Sequence, residues 1–75
     1  MTNKNNNTLS INNFGLNLYR IRTEKKMTRE QLADEIGLAT PRIVYDYENN
    51  IKRPTIDRLI LIAKALGVSL NSMFE

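Results

Sequence analysis

Cysteine and histidine are both absent from the 75-residue chain. Their absence excludes disulfides, Cys/His zinc sites, thiol nucleophiles and imidazole acid–base chemistry together. No stretch approaches the roughly 18–20 uninterrupted apolar residues that cross a bilayer, and the start of the chain lacks the apolar core of a secretory signal. These features place the protein in the cytoplasm, away from membranes, and the missing cysteine agrees with a reducing compartment. There is also no strand pattern, no internal repeat, no glycine-rich phosphate loop and no spacing that sets a nucleophile beside a base. An enzyme is therefore not expected, nor is a cofactor or a metal site.

What is present is ordinary for a soluble domain: 41% apolar and 25% charged residues, with eleven Lys+Arg against eight Asp+Glu for a net charge of +3. A chain of this length has room for one small core, since it buries only about 60% of the surface it exposes when unfolded. The basic balance favours a polyanionic partner, but mildly. Residues 1–12 hold five asparagines (Asn3, Asn5, Asn6, Asn7 and Asn12) and two aliphatics, and read as a disordered tail. Lys4 within it could follow a phosphate backbone, although the usual behaviour of termini favours a solvated tail. Residues 13–75 form the expected domain.

Within that domain the apolar spacing is helical throughout. Phe14, Leu18 and Ile21 mark one face of a first helix over about Asn13–Lys25. Thr28, three residues before Gln31, makes a capping box that opens a second helix with Leu32, Ala33 and Ile36 inside, closed by Gly37 at a left-handed C′ position. Thr40 can cap and Pro41 can begin a third helix reaching about Asn49. Asn49, Asn50 and Lys52-Arg53-Pro54 then form a loop with a basic tip. Thr55 or Pro54 opens a fourth helix whose apolar positions Ile56, Leu59, Ile60, Ile62, Ala63 and Leu66 are expected to cover a broad core face before Gly67 ends it. Leu61 falls off the densest part of that face. Ser69 caps a last short helix carrying Leu70, Met73 and Phe74.

The second helix, the tight glycine turn and the third helix form a helix-turn-helix candidate, an arrangement in which the later helix enters the major groove, about 12 Å wide, while the earlier one spans the backbone. On the outward face of the third helix lie Pro41, Arg42, Tyr45 and Asp46 as candidate base-reading residues, with Val44 directed to the core. Arg42 is the strongest, because a guanidinium bonds both O6 and N7 of guanine. Asp46 is repelled by phosphate unless it accepts from a cytosine amine or orients Arg42 four residues before it, and the orienting role is favoured. Tyr45 and Tyr47 offer hydroxyls to phosphate or an apolar contact to thymine. Tyr47 is the better candidate for a half-buried core residue.

Thr28 through Gly37, Ile43 to Glu48, Pro54-Thr55 and Ala65-Leu66-Gly67-Val68-Ser69 closely resemble the Cro/repressor type of helix-turn-helix family, XRE-like and lambda-repressor-like, across about Phe14 to Phe74. The resemblance implies an all-α fold of five helices, DNA reading by the third, and a homodimer on a palindromic operator. It implies an ion pair of Arg22 with Glu48 that supports the DNA-binding face, and phosphate contacts from Thr28, Arg29, Asn49, Lys52 and Arg53, to which Tyr47 is added. Two departures stand out: one extra residue between Gly37 and Glu48, accommodated at Leu38-Ala39, and Asn50 where the family often has glycine. Pro41 also replaces a polar base-contacting residue, so part of the readout there is apolar contact with a thymine methyl.

The expected function is a sequence-specific, double-stranded DNA-binding transcriptional regulator, a small repressor acting as a dimer with room for a regulatory protein partner. Alternatives are an antitoxin or a restriction-system controller of the same fold, or a protein-interaction module that has lost DNA binding. Asp46 and the modest charge favour the last.

Overall fold

The computed structural model describes residues 10–75; the proposed contact of Lys4 and the rest of the tail before residue 10 lie outside them. Four α-helices follow one another: α1 (Phe14–Glu24), α2 (Arg29–Ile36), α3 (Arg42–Glu48) and α4 (Ile56–Leu66), with 3₁₀ turns at Ile11–Asn13 and Leu70–Met73. Local chemistry sets most of these limits. The Thr28 hydroxyl accepts the Gln31 N–H at 3.0 Å while the Gln31 side chain accepts the Thr28 N–H at 2.8 Å, closing the expected capping box. Thr55 caps α4 through the Arg58 N–H. Gly37 and Gly67 end α2 and α4 at φ of 75° and 70°, the left-handed torsion that a Cβ disfavours.

Two features of the expected fold are corrected. The fifth helix is a single 3₁₀ turn, capped by Ser69 and held by i→i+3 bonds from Ser72 to Ser69 and from Phe74 to Asn71. So short a segment gains too few α-type bonds to offset helix nucleation, so the tighter turn wins. Ile56 and Ile60 are not core residues but are 61% and 41% exposed, as is Leu61 at 44%. Only the stripe of Leu59, Ile62, Ala63 and Leu66 meets the interior, because a straight helix lying on one side of a small core can bury one face.

The core gathers Phe14, Leu18 and Ile21 from α1, Leu32 and Ile36 from α2, Val44 and Tyr47 from α3, and the α4 stripe, with Met73 fully buried beneath them. Phe14 joins three regions: its ring stacks on Phe74 at 5.7 Å and meets Tyr47 edge-on at 6.4 Å. The two ends of the described chain are tied together. Ser10 N–H donates to the Phe74 carbonyl at 3.0 Å, and the Asn13 and buried Asn17 amides donate to the carbonyls of Glu75 and Met73. The 3₁₀ turn Ile11–Asn13 lies across the expected boundary at residue 13.

Candidate nucleic-acid interface

The turn between α2 and α3 is built from local bonds and one buried aliphatic. Past Gly37, the Leu38 N–H returns to the Ala33 carbonyl at 2.8 Å and its side chain enters the core, which anchors the extra residue of this turn. Pro41 follows with helical torsions (φ −67°, ψ −16°), and the Thr40 hydroxyl accepts the Arg42 N–H at 3.1 Å. The third helix therefore starts about where the sequence indicates, and Val44 and Tyr47 fix its rotation by facing the core. Pro41, Arg42, Tyr45 and Asn49 are left on the open side.

Beneath this open face, ion pairs run from α1 to the loop after α3, interrupted where the Tyr45 ring links two arginines. Glu48, whose side chain is 2% exposed, takes Nη2 of Arg22 at 3.3 Å as well as its Nε, and Nε of Arg29 at 2.9 Å. Arg22 also donates to the Met27 carbonyl at 2.8 Å, so one guanidinium ties the end of α1, the lead into α2 and the end of α3. The Arg29 guanidinium lies over the Tyr45 ring at 5.3 Å, and that of Arg42 lies over the same ring at 4.7 Å. Arg42 Nε in turn donates to Asp46 Oδ1 at 3.1 Å, and Lys52 stands 3.9 Å from the other oxygen of Asp46. The buried Arg22–Glu48 pair fixes geometry more than it stabilises, and losing one partner strands a costly charge.

The predicted site residues are distributed accordingly. Arg22 and Glu48 pair as the resemblance implied. Arg42 is the most open of the arginines in this string, with a side chain 71% exposed. Thr28 is occupied as an N-cap, while Arg29 is half-buried and Lys52 and Arg53 are exposed. Asn49 keeps its amide on the Tyr45 carbonyl at 2.9 Å. Two placements correct the sequence reading. Asp46 does not sit on the outward face, because the chain doubles back at Asn50 (φ 59°) and both Ile51 and Lys52 donate N–H to the Asp46 carbonyl. That fold-back buries Asp46, so it leaves the base-reading set and keeps only the role favoured from the sequence, that of the carboxylate beside Arg42. Tyr47, offered as a phosphate contact, is a core residue whose hydroxyl is met by Arg58 at 3.3 Å.

Two determinants escaped the sequence reading. The Arg29–Glu48 bond joins residues 19 apart on different helices, with no local pattern to mark it. Gly15 admits the backbone of α3, whose Glu48 carbonyl would clash with any Cβ at that position. Asn50 adopts the left-handed torsion that asparagine tolerates, as the break placed there in the sequence implies, which accounts for an asparagine where the resembled family often places glycine.

A helix-turn-helix family profile matches residues 18–72. An uncharacterized HTH-type transcriptional regulator of Rickettsia conorii is 37% identical over 76 residues, taking in 100% of this chain and 60% of that protein. This chain thus spans about 60% of the length of that relative. The restriction-modification controller protein of Aeromonas hydrophila superposes with a TM-score of 0.78 at 26% identity, over 85% of this chain and 96% of that one. Hydroxypropylphosphonic acid epoxidase from S. wedmorenis superposes with a TM-score of 0.79 at 31% identity, over 92% of this chain but 36% of the enzyme. The likeness to the epoxidase is therefore to one part of it. No helix among the described residues is long and apolar enough to cross a membrane, and no cluster of acidic side chains there is arranged to hold a metal.

Proposed function

The chain belongs to the Cro/repressor-type helix-turn-helix family, and from that premise we propose that it is a sequence-specific, double-stranded DNA-binding transcriptional regulator. In this reading it is a small homodimeric repressor that lays α3 in the major groove of a palindromic operator. The observation that carries the proposal is the open side of α3: Arg42, 71% exposed and steered by a buried carboxylate, stands out from a helix whose opposite face is locked in the core. Such a side chain reaches base edges without costly reorganisation, and bidentate pairing to guanine discriminates by about 1–3 kcal/mol.

Pro41 and Tyr45 beside it supply apolar contact for thymine methyls. Arg29, Lys52, Arg53 and Asn49, with the N-terminus of α2 at Thr28, surround α3 with donors for phosphate. Asp46 acts through Arg42, and Tyr47 belongs to the core. A narrower reading, the controller of a restriction–modification system, draws support from the likeness covering 96% of the Aeromonas hydrophila controller. Transcription of genes adjoining this one, with and without the protein, separates the two.

The direct test is selection from random duplex DNA by the purified chain at near-physiological salt, followed by sequencing of what is retained. An enriched palindrome with half-sites about 34–36 Å apart is the expected result for a dimer. Retention without any sequence preference, or no retention, would overturn the proposal and favour a protein-binding module.

A further inference from the structure

We infer that Tyr45 is a positioning residue whose ring holds Arg29 and Arg42 as a paired unit, each guanidinium anchored at Nε and presenting its Nη edge outward. The geometry is specific. Both guanidinium carbons lie over the one ring, at 5.3 and 4.7 Å from its centroid. Each arginine spends its Nε on a separate carboxylate that is all but buried, Arg29 on Glu48 and Arg42 on Asp46. Among the described residues the Nη groups of these two arginines bond to nothing.

Each link has a physical consequence. Two guanidiniums held against one ring carry like charge, and the ring's π-electrons together with the two carboxylates offset that repulsion. With Nε occupied, a guanidinium can meet a two-acceptor partner only end-on, through Nη1 and Nη2. For Arg42 on α3 that partner is the O6/N7 edge of guanine; for Arg29, at the start of α2, it is a phosphate. Tyr45 therefore couples a base contact on one helix to a backbone contact on another, although its own hydroxyl needs no partner for this. The part of this inference that concerns bases rests on the proposed reading of α3, whereas the stacking itself does not involve DNA.

The test compares the wild-type chain with Tyr45→Phe and Tyr45→Leu, in two measurements. In the free protein, NMR of the arginine side chains should show the δ protons of Arg29 and Arg42 shifted upfield by the ring current in wild type and in Tyr45→Phe, and released in Tyr45→Leu. In selection from random duplex DNA, Tyr45→Phe should retain the wild-type sequence. Tyr45→Leu should lose about fivefold in discrimination at the guanine facing Arg42, as expected for losing a partly exposed cation–π contact, with its thermal unfolding still cooperative. Absence of the upfield shifts in wild type overturns the inference whatever happens with DNA. So does a Tyr45→Phe variant that behaves like Tyr45→Leu, since the hydroxyl would then be the contact. If wild type enriches no sequence, the DNA-binding proposal fails by itself, and the ring-current pattern alone decides whether Tyr45 positions the two arginines.

Discussion

A Cβ built on Gly15 would stand 2.5 Å from the carbonyl oxygen of Glu48 and 2.8 Å from Oδ1 of Asn50. The first turn of α1 thus meets the last turn of α3 backbone to backbone, and this contact sets how closely α3 is held. The close approach demands glycine although α1 is otherwise an ordinary helix. Gly15→Ala should destabilise the fold by about 1–3 kcal/mol through overpacking, despite alanine being the better helix former. Urea denaturation measures this, and a variant more stable than wild type would mean that α1 and α3 are not in backbone contact.

Glu48 carries two arginines on one buried carboxylate. Glu48→Ala should cost about 3–5 kcal/mol, because it leaves Arg22 buried without a counter-charge. Adding Arg22→Ala should cost less than the sum of the two single changes, since the stranded charge is then gone. Thermal melting of the single and double variants reports the coupling. Wild-type melting and DNA retention in Glu48→Ala would falsify the supporting role of the pair.

Lys26 closes α1 at φ 60°, a left-handed torsion that costs a residue bearing a Cβ roughly 1–2 kcal/mol. Glycine at this position removes that strain and returns part of the gain as unfolded-chain entropy. Lys26→Gly should raise stability by about 0.5 kcal/mol, read as a higher urea midpoint at unchanged slope. A lower midpoint would show that the lysine side chain makes up for its torsion.

Lys52 and Arg53 stand exposed at the loop after α3, with Lys52 drawn 3.9 Å from Asp46. If they meet phosphate, Lys52→Ala and Arg53→Ala should each flatten the dependence of log affinity on log salt by about one unit while leaving the selected sequence unchanged. Binding titrations at several salt concentrations decide this. An unchanged slope in both would remove the loop from the interface.

What was legible from the residues in order is what short-range physics decides. Thr28 with Gln31, Thr55, Ser69, Gly37 and Gly67 act within four residues of themselves, so helix limits could be read from spacing alone. Helical periodicity likewise placed Leu18, Leu32, Val44 and Ile62 in the core. The Arg22–Glu48 pair came from resemblance and not from spacing. Periodicity failed where a helix carries more apolar positions than one side can bury: Ile56 and Ile60 satisfy the pattern of α4 and still face outward.

The sequence by itself therefore determined an all-helical domain with a tight turn between α2 and α3, and it marked the stretch of α3 that carries Arg42. Only the tertiary structure decided which of the neighbouring side chains remain available. Asp46 is withdrawn because the chain returns over it at Asn50, Tyr47 because its ring is needed beside Phe14, and Arg29 is partly committed because Glu48 reaches it from another helix. Helical periodicity assigns a residue to a direction around its own axis, whereas burial and pairing depend on what other segments bring to that direction. In a core this small, one returning loop or one close glycine contact is enough to change the answer.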